Sequence, residues 1–371
     1  MFGRFGLQRI GVSALFLLLL APLCSCGTPT VINRIKLIQA AGYDLKGQEE
    51  EIRVSALVGD YKEKEKTNVQ LMEERSSNSF DMIPVLSEES NDPIQYGQMR
   101  MMVFGQDYAK RGIGPVLNIL ARDVKISSRL KLAVSSSTAT ELFKACENTQ
   151  EPLYLMRMIE QNSKYANLPI QNLHKTLYNY YDEGRDLFLP SFKVDAEQQP
   201  RIDGLALFDG DRWIGKVGND QALWLKILIE DAKNGSFVIP IPHSSARVDK
   251  VALIRFASSR TTFKASSISK PLGLNVHIEG QVIVKNIPGD LKLVNKVEVE
   301  KLEDEMEQYV AARIDRFIRY CCSKHIDPAG IGDFFRSTDR KWNPQAFYAV
   351  YPSLTPKVTV HLKIIQCGRQ D

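Results

Sequence analysis

The first 26 residues constrain this chain more than any later segment, because they fix the compartment in which the rest must fold. Two arginines precede an apolar run at residues 12–20, and Leu23-Cys24-Ser25-Cys26 follows. A basic start, a short apolar stretch and small residues at the end are typical of a secretory signal peptide. With leucine at −3, serine at −1 and Cys26 at +1, the pattern matches a bacterial lipobox.

This pattern predicts cleavage after Ser25 and a diacylglyceryl group on the Cys26 sulfur. The apolar stretch has roughly 12 residues, whereas a helix that spans a bilayer needs about 20, so we expect no spanning helix to remain. Two acyl chains anchor a protein stably, where one chain is marginal. The alternative is an uncleaved anchor or a signal peptide cut elsewhere. Cys24 fits less well as the lipidated residue, because Leu23 would then occupy the −1 position, where the peptidase requires a small side chain.

Composition argues against nucleic acid as a partner. The formal net charge is +4, and loss of residues 1–25 removes two arginines and no acid, which leaves a nearly neutral chain without a basic footprint. The length suits two or three domains. Cysteines beyond Cys26 are few, and we interpret them as packing residues although the compartment is oxidising; they are Cys146, Cys321, Cys322 and Cys367.

The hydrophobic pattern predicts a mixture of strands and helices. Apolar or alternating segments predict strands at 35–44, 51–59, 98–105, 130–134, 187–194, 202–208, 213–217, 237–240, 250–256, 274–287 and 357–364. Residues 61–92 are interpreted as a strand pair with an exposed connection. Helical spacing predicts one helix that starts at Pro115 and a second that is capped by Thr138 or Thr140 and ends at Cys146. Further helices are predicted at 151–162, 168–182, 220–232 and 291–324.

The order of these segments predicts an α+β fold, with three consecutive mixed α/β domains, largely antiparallel or mixed sheets, and an N-terminal lipid tether. An Asp209-Gly210 turn between two apolar runs is typical of a β-hairpin and characterises the middle unit. The predicted boundaries are 1–25 for the signal peptide, 26–184 for the N-terminal domain, 185–268 for the small central domain, and 269–371 for the C-terminal domain with its long helix.

Three sequence blocks together resemble the C-subunit lipoproteins of spore germinant receptors, the Ger(x)C family of endospore-forming bacteria. They occur in the family's order and extend over nearly the whole mature chain. A departure is that members often carry Trp-Asp after the lipidated cysteine, whereas Gly27-Thr28-Pro29 follows here. The blocks are residues 97–123, with Ala109-Lys110-Arg111-Gly112-Ile113-Gly114-Pro115; residues 202–215, with Ile202-Asp203-Gly204 and Asp211-Arg212-Trp213; and Asp327-Pro328-Ala329-Gly330-Ile331-Gly332.

The resemblance implies a role as well as an architecture. It implies three mixed α/β domains in a row and a receptor with integral-membrane A and B subunits. It places the lipoprotein on the outer face of the spore inner membrane, where the receptor responds to small nutrients and triggers germination. We therefore expect a lipid-anchored, non-enzymatic subunit needed for receptor assembly; a lipoprotein that binds a solute or acts on the cell wall is the alternative.

Catalytic patterns are weak throughout the sequence. His277 and His361 fall in predicted strands and could be neighbours, but solvent-facing strand histidines explain them better than a metal site does. The serines at 135–137 lack the Gly-x-Ser-x-Gly elbow of a hydrolase, and Gly112 and Gly114 lack the Gly-Lys-Ser/Thr of a phosphate loop. The sequence thus predicts no catalytic residue, no metal and no cofactor.

The Asp327-Pro328-Ala329-Gly330-Ile331-Gly332 segment supports two hypotheses. Asp327 can cap the following turn with Pro328 at its first position, and the glycines let a short helix pack closely. Alternatively, Asp327, Gly330 and Gly332 form a partner-docking site. Gly330→Val separates the two: lost thermal stability favours packing, and lost receptor assembly in a stable protein favours docking.

Overall fold

The protein has a mixed α/β fold with two sheets, which confirms the expected fold class. The computed structural model describes residues 35–47, 51–63, 66–76, 82–96, 99–123, 126–147, 149–151, 153–241, 250–267, 272–288, 293 and 295–367. The predicted signal peptide and Cys26 lie outside these residues. Within them, no helix is both long and apolar enough to cross a membrane.

The first sheet runs in the order β3-β2-β1-β5-β6-β7-β8-β9, with β4 paired to β1. Its middle is parallel, from β1 through β5 and β6 to β7. Both flanks are antiparallel hairpins. Its strands are β1 (Lys36–Lys46), β2 (Glu51–Glu63), β3 (Lys66–Ser76), β4 (Ile94–Gln95), β5 (Met101–Phe104), β6 (Lys131–Ser135), β7 (Phe188–Val194), β8 (Pro200–Asp209) and β9 (Arg212–Val217).

Helices cover both faces of this sheet. One core joins Phe104, Leu117 and Leu173 under α2, α3 and α6, and the other joins Phe143 and Ile159 under α4 and α5. The helices are α1 (Ile83–Ser87), α2 (Gln106–Arg111), α3 (Gly114–Arg122), α4 (Ala139–Glu147), α5 (Tyr154–Tyr165) and α6 (Leu173–Tyr181).

The second sheet has the order β10-β11-β12-β13, antiparallel except for the parallel pair β12 and β13. The long helix α8 buries Met306, Val310 and Ile314 against its inner face, where Ile278 and Val360 lie. Its elements are α7 (Asn219–Ile229), β10 (Ser236–Pro240), β11 (Val251–Ser267), β12 (Gly273–Asn286), α8 (Lys296–Ser323), α9 (Ile331–Thr338), α10 (Pro344–Val350), a 3₁₀ turn (Tyr351–Ser353) and β13 (Thr355–Cys367).

The sheets divide the chain at a different place from the predicted central domain, 185–268. Of that span, β7, β8 and β9 belong to the first sheet, and β10 and β11 belong to the second. The strand predicted at 250–256 continues to Ser267 as a partner of β12. In 61–92, β3 pairs with β2, and α1 occupies part of the stretch interpreted as exposed connection.

Candidate functional site

The third sequence block lies buried at a junction between distant parts of the chain. The segment from Asp327 to Gly332 packs against the loop 182–186, which connects α6 to β7. The Asp333 N–H donates to the Gly184 carbonyl at 2.8 Å. Residues 327–332 are all buried, and Asp327 is fully so. The segment therefore fastens the start of α9 to the first sheet.

Asp186 and Asp327 form a reciprocal link at the centre of this junction. The Asp327 N–H donates to Asp186 Oδ2 at 2.6 Å, and the Asp186 N–H donates to the Asp327 carbonyl at 2.9 Å. Asp327 Oδ2 in turn accepts the N–H of Gly332, in the first turn of α9, at 2.6 Å. The sequence predicted a cap with Pro328 at the first helical position, whereas the helix begins at Ile331 and its N-cap residue is Gly330. Asp327 bonds to its first turn from outside the cap position, and its partner Asp186 was not singled out from the sequence.

The glycines of the segment permit close approach. Gly330 has a φ of +71°, and a Cβ atom there would lie 2.7 Å from Arg185 Nη2. At Gly332 a Cβ atom would lie 3.0 Å from the Gly184 carbonyl oxygen and 2.9 Å from Tyr348 Oη. Glycine therefore allows the two backbones to meet at this point.

The two carboxyl groups of the link have raised pKa values. Burial raises the pKa of Asp327 to about 7, and the negative charge of Asp186 adds to the effect. Burial also raises the pKa of Asp186 to about 6. Desolvation disfavours the charged form of an acid, so Asp327 holds its proton up to near-neutral pH.

An ion-pair cluster surrounds the link on its solvent side. Arg185 Nη2 lies 2.6 Å from Asp333 Oδ2, and Arg336 bridges Asp333 at 2.6 Å and Asp182 at 3.0 Å. Although partial burial opposes it, the two guanidinium groups lower the pKa of Asp333. The Arg185 guanidinium also lies over the Tyr178 ring, 5.0 Å from its centroid.

The contacts of Asp327, Gly330 and Gly332 support the packing hypothesis, since all three touch the chain's own loop 182–186. Their docking role stays a prediction, as does lipidation of Cys26, which lies outside the described residues. The sequence reasoning missed Gly184, Arg185 and Asp186. The sequence feature that could have identified them is a glycine between charged residues, directly before the apolar segment that forms β7.

A second polar cluster joins four neighbouring strands at the serines after β6. Ser136 Oγ lies 3.3 Å from Asp203 Oδ2 and 3.4 Å from Ser191 Oγ. Lys216 Nζ pairs with Asp203 and lies 3.3 Å from Ser136 Oγ. Beside Asp203, a Cβ atom at Gly204 would lie 1.8 Å from the Val217 carbonyl oxygen. The second sequence block thus fixes the packing of β8 against β9.

The first and second blocks meet at Asp211. Its Oδ2 accepts the Gly114 N–H at 2.9 Å, and its carbonyl accepts the Ile113 N–H at 3.0 Å. A Cβ atom at Gly112 or Gly114 would lie 2.6 Å from that carboxylate oxygen. The two glycines thus leave room for the Asp211 carboxylate at the start of α3. This position agrees with the predicted helix start at Pro115.

The two strand histidines are neighbours, as the sequence allowed. The ring centroids of His277 and His361 are 5.3 Å apart, and His277 Nε2 lies 3.2 Å from Glu279 Oε1. Both rings lie on the outer face of the second sheet. Over the part of the chain that the structure describes, no group of three metal-ligating side chains occurs.

Two family models match successive parts of the chain. The model described as the spore germination protein N-terminal domain matches residues 29–194. The model described as the spore germination B3/GerAC-like C-terminal domain matches residues 203–368. The first match ends with β7 and the second begins within β8, in the same sheet. Together they include the first and third sequence blocks and all of the second except Ile202.

Individual relatives agree with these matches. The chain is 26% identical to spore germination protein GerQC of Bacillus cereus, over 95% of this chain and 98% of that protein. It is 20% identical to the putative spore germination protein YfkR of Bacillus subtilis, over 65% and 63%. The crystal structure of the GerBC protein has the same fold, with a TM-score of 0.56, 14% identity, and coverage of 88% of this chain and 97% of that chain.

Proposed function

Because the chain belongs to the Ger(x)C family of spore germination receptor subunits, we propose that it is the lipid-anchored C subunit of a nutrient germinant receptor. The observation that carries this proposal is the pair of family matches over residues 29–194 and 203–368. GerQC, a spore germination protein, is similar over nearly its whole length. The lipobox at Leu23-Cys24-Ser25-Cys26 supplies the anchor.

In this proposal the subunit resides on the outer face of the spore inner membrane, beside integral-membrane A and B subunits. The lipid confines the chain to the bilayer and so raises its effective concentration near the membrane subunits. A contact that is weak in solution is then sufficient for assembly. The subunit is then needed for assembly of the receptor and for its response to nutrients.

We further propose that the subunit works by contact and forms no covalent intermediate. Burial raises the pKa of Cys322 to about 12 and that of Cys321 well above its usual value, which disfavours the nucleophilic thiolate form. Ser136 is held in a polar cluster that joins strands, and its lysine neighbour is paired with Asp203. These contacts support structural roles for both residue types.

Cys26→Ala tests the anchor and the function together. The variant should leave the membrane fraction of spores, and nutrient-triggered germination should slow, while germination by a route that bypasses nutrient receptors should stay normal. A detached variant with unchanged nutrient response would refute the need for the lipid. Co-purification of the wild-type chain with two integral membrane proteins tests the assembly role.

A further inference from the structure

A cavity of about 500 Å³ opens at the edge of the second sheet, where β10 meets the first turn of α7 and the middle of α8. Small-molecule sites in proteins have volumes of about 300–1,000 Å³, with mostly apolar walls and a few converging polar groups. The cavity has the volume of such a site, and its lining has both kinds of surface.

Three aromatic side chains form one wall of the cavity. The ring centroids of Trp224 and Phe237 are 5.8 Å apart in an edge-to-face arrangement. The Tyr309 ring is stacked with Phe237 at 6.3 Å. Trp224 and Phe237 are buried, so the packing around them holds their rings in place. This aromatic wall offers a rigid apolar surface to the side chain of a ligand.

Two charged side chains also line the cavity, one of each sign. Arg313, on α8, holds its guanidinium 4.7 Å from the centroid of the Tyr309 ring. Asp220 lies in the first turn of α7 and is exposed. Within the part of the chain that the structure describes, neither side chain forms an ion pair. The cavity therefore presents a cation to a carboxylate and an anion to an ammonium group.

The backbone of Val238 adds a donor and an acceptor to this lining. β10 is an edge strand, and Ser236 directs its backbone groups away from β11. Its N–H donates to Asn167 Oδ1 at 2.9 Å, and its carbonyl accepts from Asn167 Nδ2 at 3.0 Å. Alternate residues of an antiparallel strand direct their backbone groups to the same side. The N–H and the carbonyl of Val238, which also lines the cavity, therefore point outward.

We propose that this cavity binds a free α-amino acid with a bulky apolar side chain. The aromatic wall contacts that side chain, Arg313 pairs with the carboxylate, and Asp220 pairs with the ammonium group. The Val238 N–H is a second donor to the carboxylate, and its carbonyl is a second acceptor for the ammonium group. The inference goes beyond the proposed function, which gives the subunit no ligand of its own.

An extended peptide fits the same edge less well. Asn167 already occupies the backbone groups of Ser236, and Pro240 has no N–H to donate. Only Val238 is left to pair with a strand, whereas strand addition depends on a row of main-chain hydrogen bonds. A residue inside a peptide also lacks the two charges that Arg313 and Asp220 would meet.

The first test uses the mature chain with Cys26→Ser, titrated with L-phenylalanine in a calorimeter. Two analogues that each lack one charged group, phenethylamine and 3-phenylpropanoate, are then compared. Each should bind at least about tenfold more weakly than L-phenylalanine, because a hydrogen bond to a charged group contributes that factor or more. Absence of binding by both L-phenylalanine and L-leucine would overturn the proposal, as would equal binding of either analogue.

Arg313→Gln should weaken L-phenylalanine binding at least about tenfold and leave phenethylamine binding unchanged, because phenethylamine has no carboxylate. Arg316→Gln is the matched control, since it removes the same charge from an exposed position on α8 outside the cavity. Equal weakening by the two variants, or an equal effect of Arg313→Gln on both ligands, would contradict the assigned role of Arg313.

N-acetyl-phenylalanine amide separates the two kinds of occupant, because it keeps the side chain and has no charged end. Its binding should be at least about tenfold weaker than that of L-phenylalanine. Tighter binding of the blocked compound would overturn the proposal in favour of a peptide partner. These titrations use the detached chain in solution, whereas Cys26→Ala tests the anchor in spores, so failure of the site and failure of the proposed function are distinguishable.

Discussion

Asp186 and Asp327 exchange two hydrogen bonds across 141 residues of sequence, from the Asp327 N–H to the Asp186 carboxylate at 2.6 Å and from the Asp186 N–H to the Asp327 carbonyl. This link joins the loop before β7 to the turn before α9. Burial raises the pKa of both acids, and the charge of Asp186 raises the pKa of Asp327 further. The junction therefore couples the folding of the two halves to the protonation of its carboxyl groups.

Stability should fall as pH rises from about 4 to about 7. The folded pKa of Asp327, about 7, exceeds its ordinary value of 3.8, so the unfolded state releases its proton first as pH increases. The contribution of this group is fully present below pH 4 and is lost by about pH 7. Urea unfolding at a series of pH values should show a steeper decline for the wild type than for Asp327→Asn, which keeps an oxygen for the Gly332 N–H.

Asp107→Asn controls for the general effect of removing an acid, because Asp107 is exposed on α2. Its stability should follow the wild-type pH dependence. An Asp327→Asn curve parallel to that of the wild type would contradict the raised pKa of Asp327.

Gly330→Val should lower the melting temperature. The φ of +71° costs a β-branched residue about 1–3 kcal/mol, and the new side chain would displace Arg185 from its pair with Asp333. Gly210→Val is the comparison, since Gly210 also has positive φ but its Cβ atom would meet nothing within 4 Å. Calorimetry should show the larger loss at Gly330. A stable Gly330→Val protein that fails to assemble with its receptor would support docking instead.

Asp211→Ala should weaken the junction of the first and second blocks. It removes the acceptor of the Gly114 N–H, and loss of a helix-capping acceptor costs about 1 kcal/mol. Asp231→Ala, at an exposed position after α7, should be close to neutral. Chemical denaturation of the two variants measures the difference, and equal stabilities would show that the Asp211 contact contributes nothing.

The thiols should differ sharply in reactivity. Cys146, Cys321 and Cys322 are free and buried, whereas Cys367 is free and exposed. Burial raises the pKa of Cys146 to about 12, so its thiolate form is scarce at pH 8. A maleimide should label Cys367 in the native protein and reach the other three only after denaturation, as peptide mass spectrometry would show. Native labelling at Cys321 or Cys322 would contradict the packing of α8.

Local patterns predicted most elements, because their causes are local. The face of α8 with Met306 and Val310 follows from helical spacing, and the hairpin at Asp209-Gly210 follows from turn chemistry. Thr138 Oγ1 accepts the Glu141 N–H at 3.0 Å, which confirms one of the two caps predicted for α4. The elements formed where the residues themselves specify a period or a turn.

Pairings between distant segments were not accessible to the same reasoning. The parallel register of Val134 with Ser191 brings β7 to the first sheet, and nothing near either residue specifies that partner. Strand β11 continues beyond Phe256 through mostly polar residues, because β12 supplies its hydrogen bonds. Asp186 holds the turn before α9 only because it is hydrogen-bonded to Asp327. That contact exists only in the assembled fold.

The lipid on Cys26 is the central claim, and mass spectrometry of the N-terminal peptide from spore membranes tests it most directly. The account predicts a peptide that begins at Cys26 and carries a diacylglyceryl group on its sulfur. A mature protein that begins elsewhere, or an unmodified Cys26 thiol in a membrane-bound chain, would contradict it.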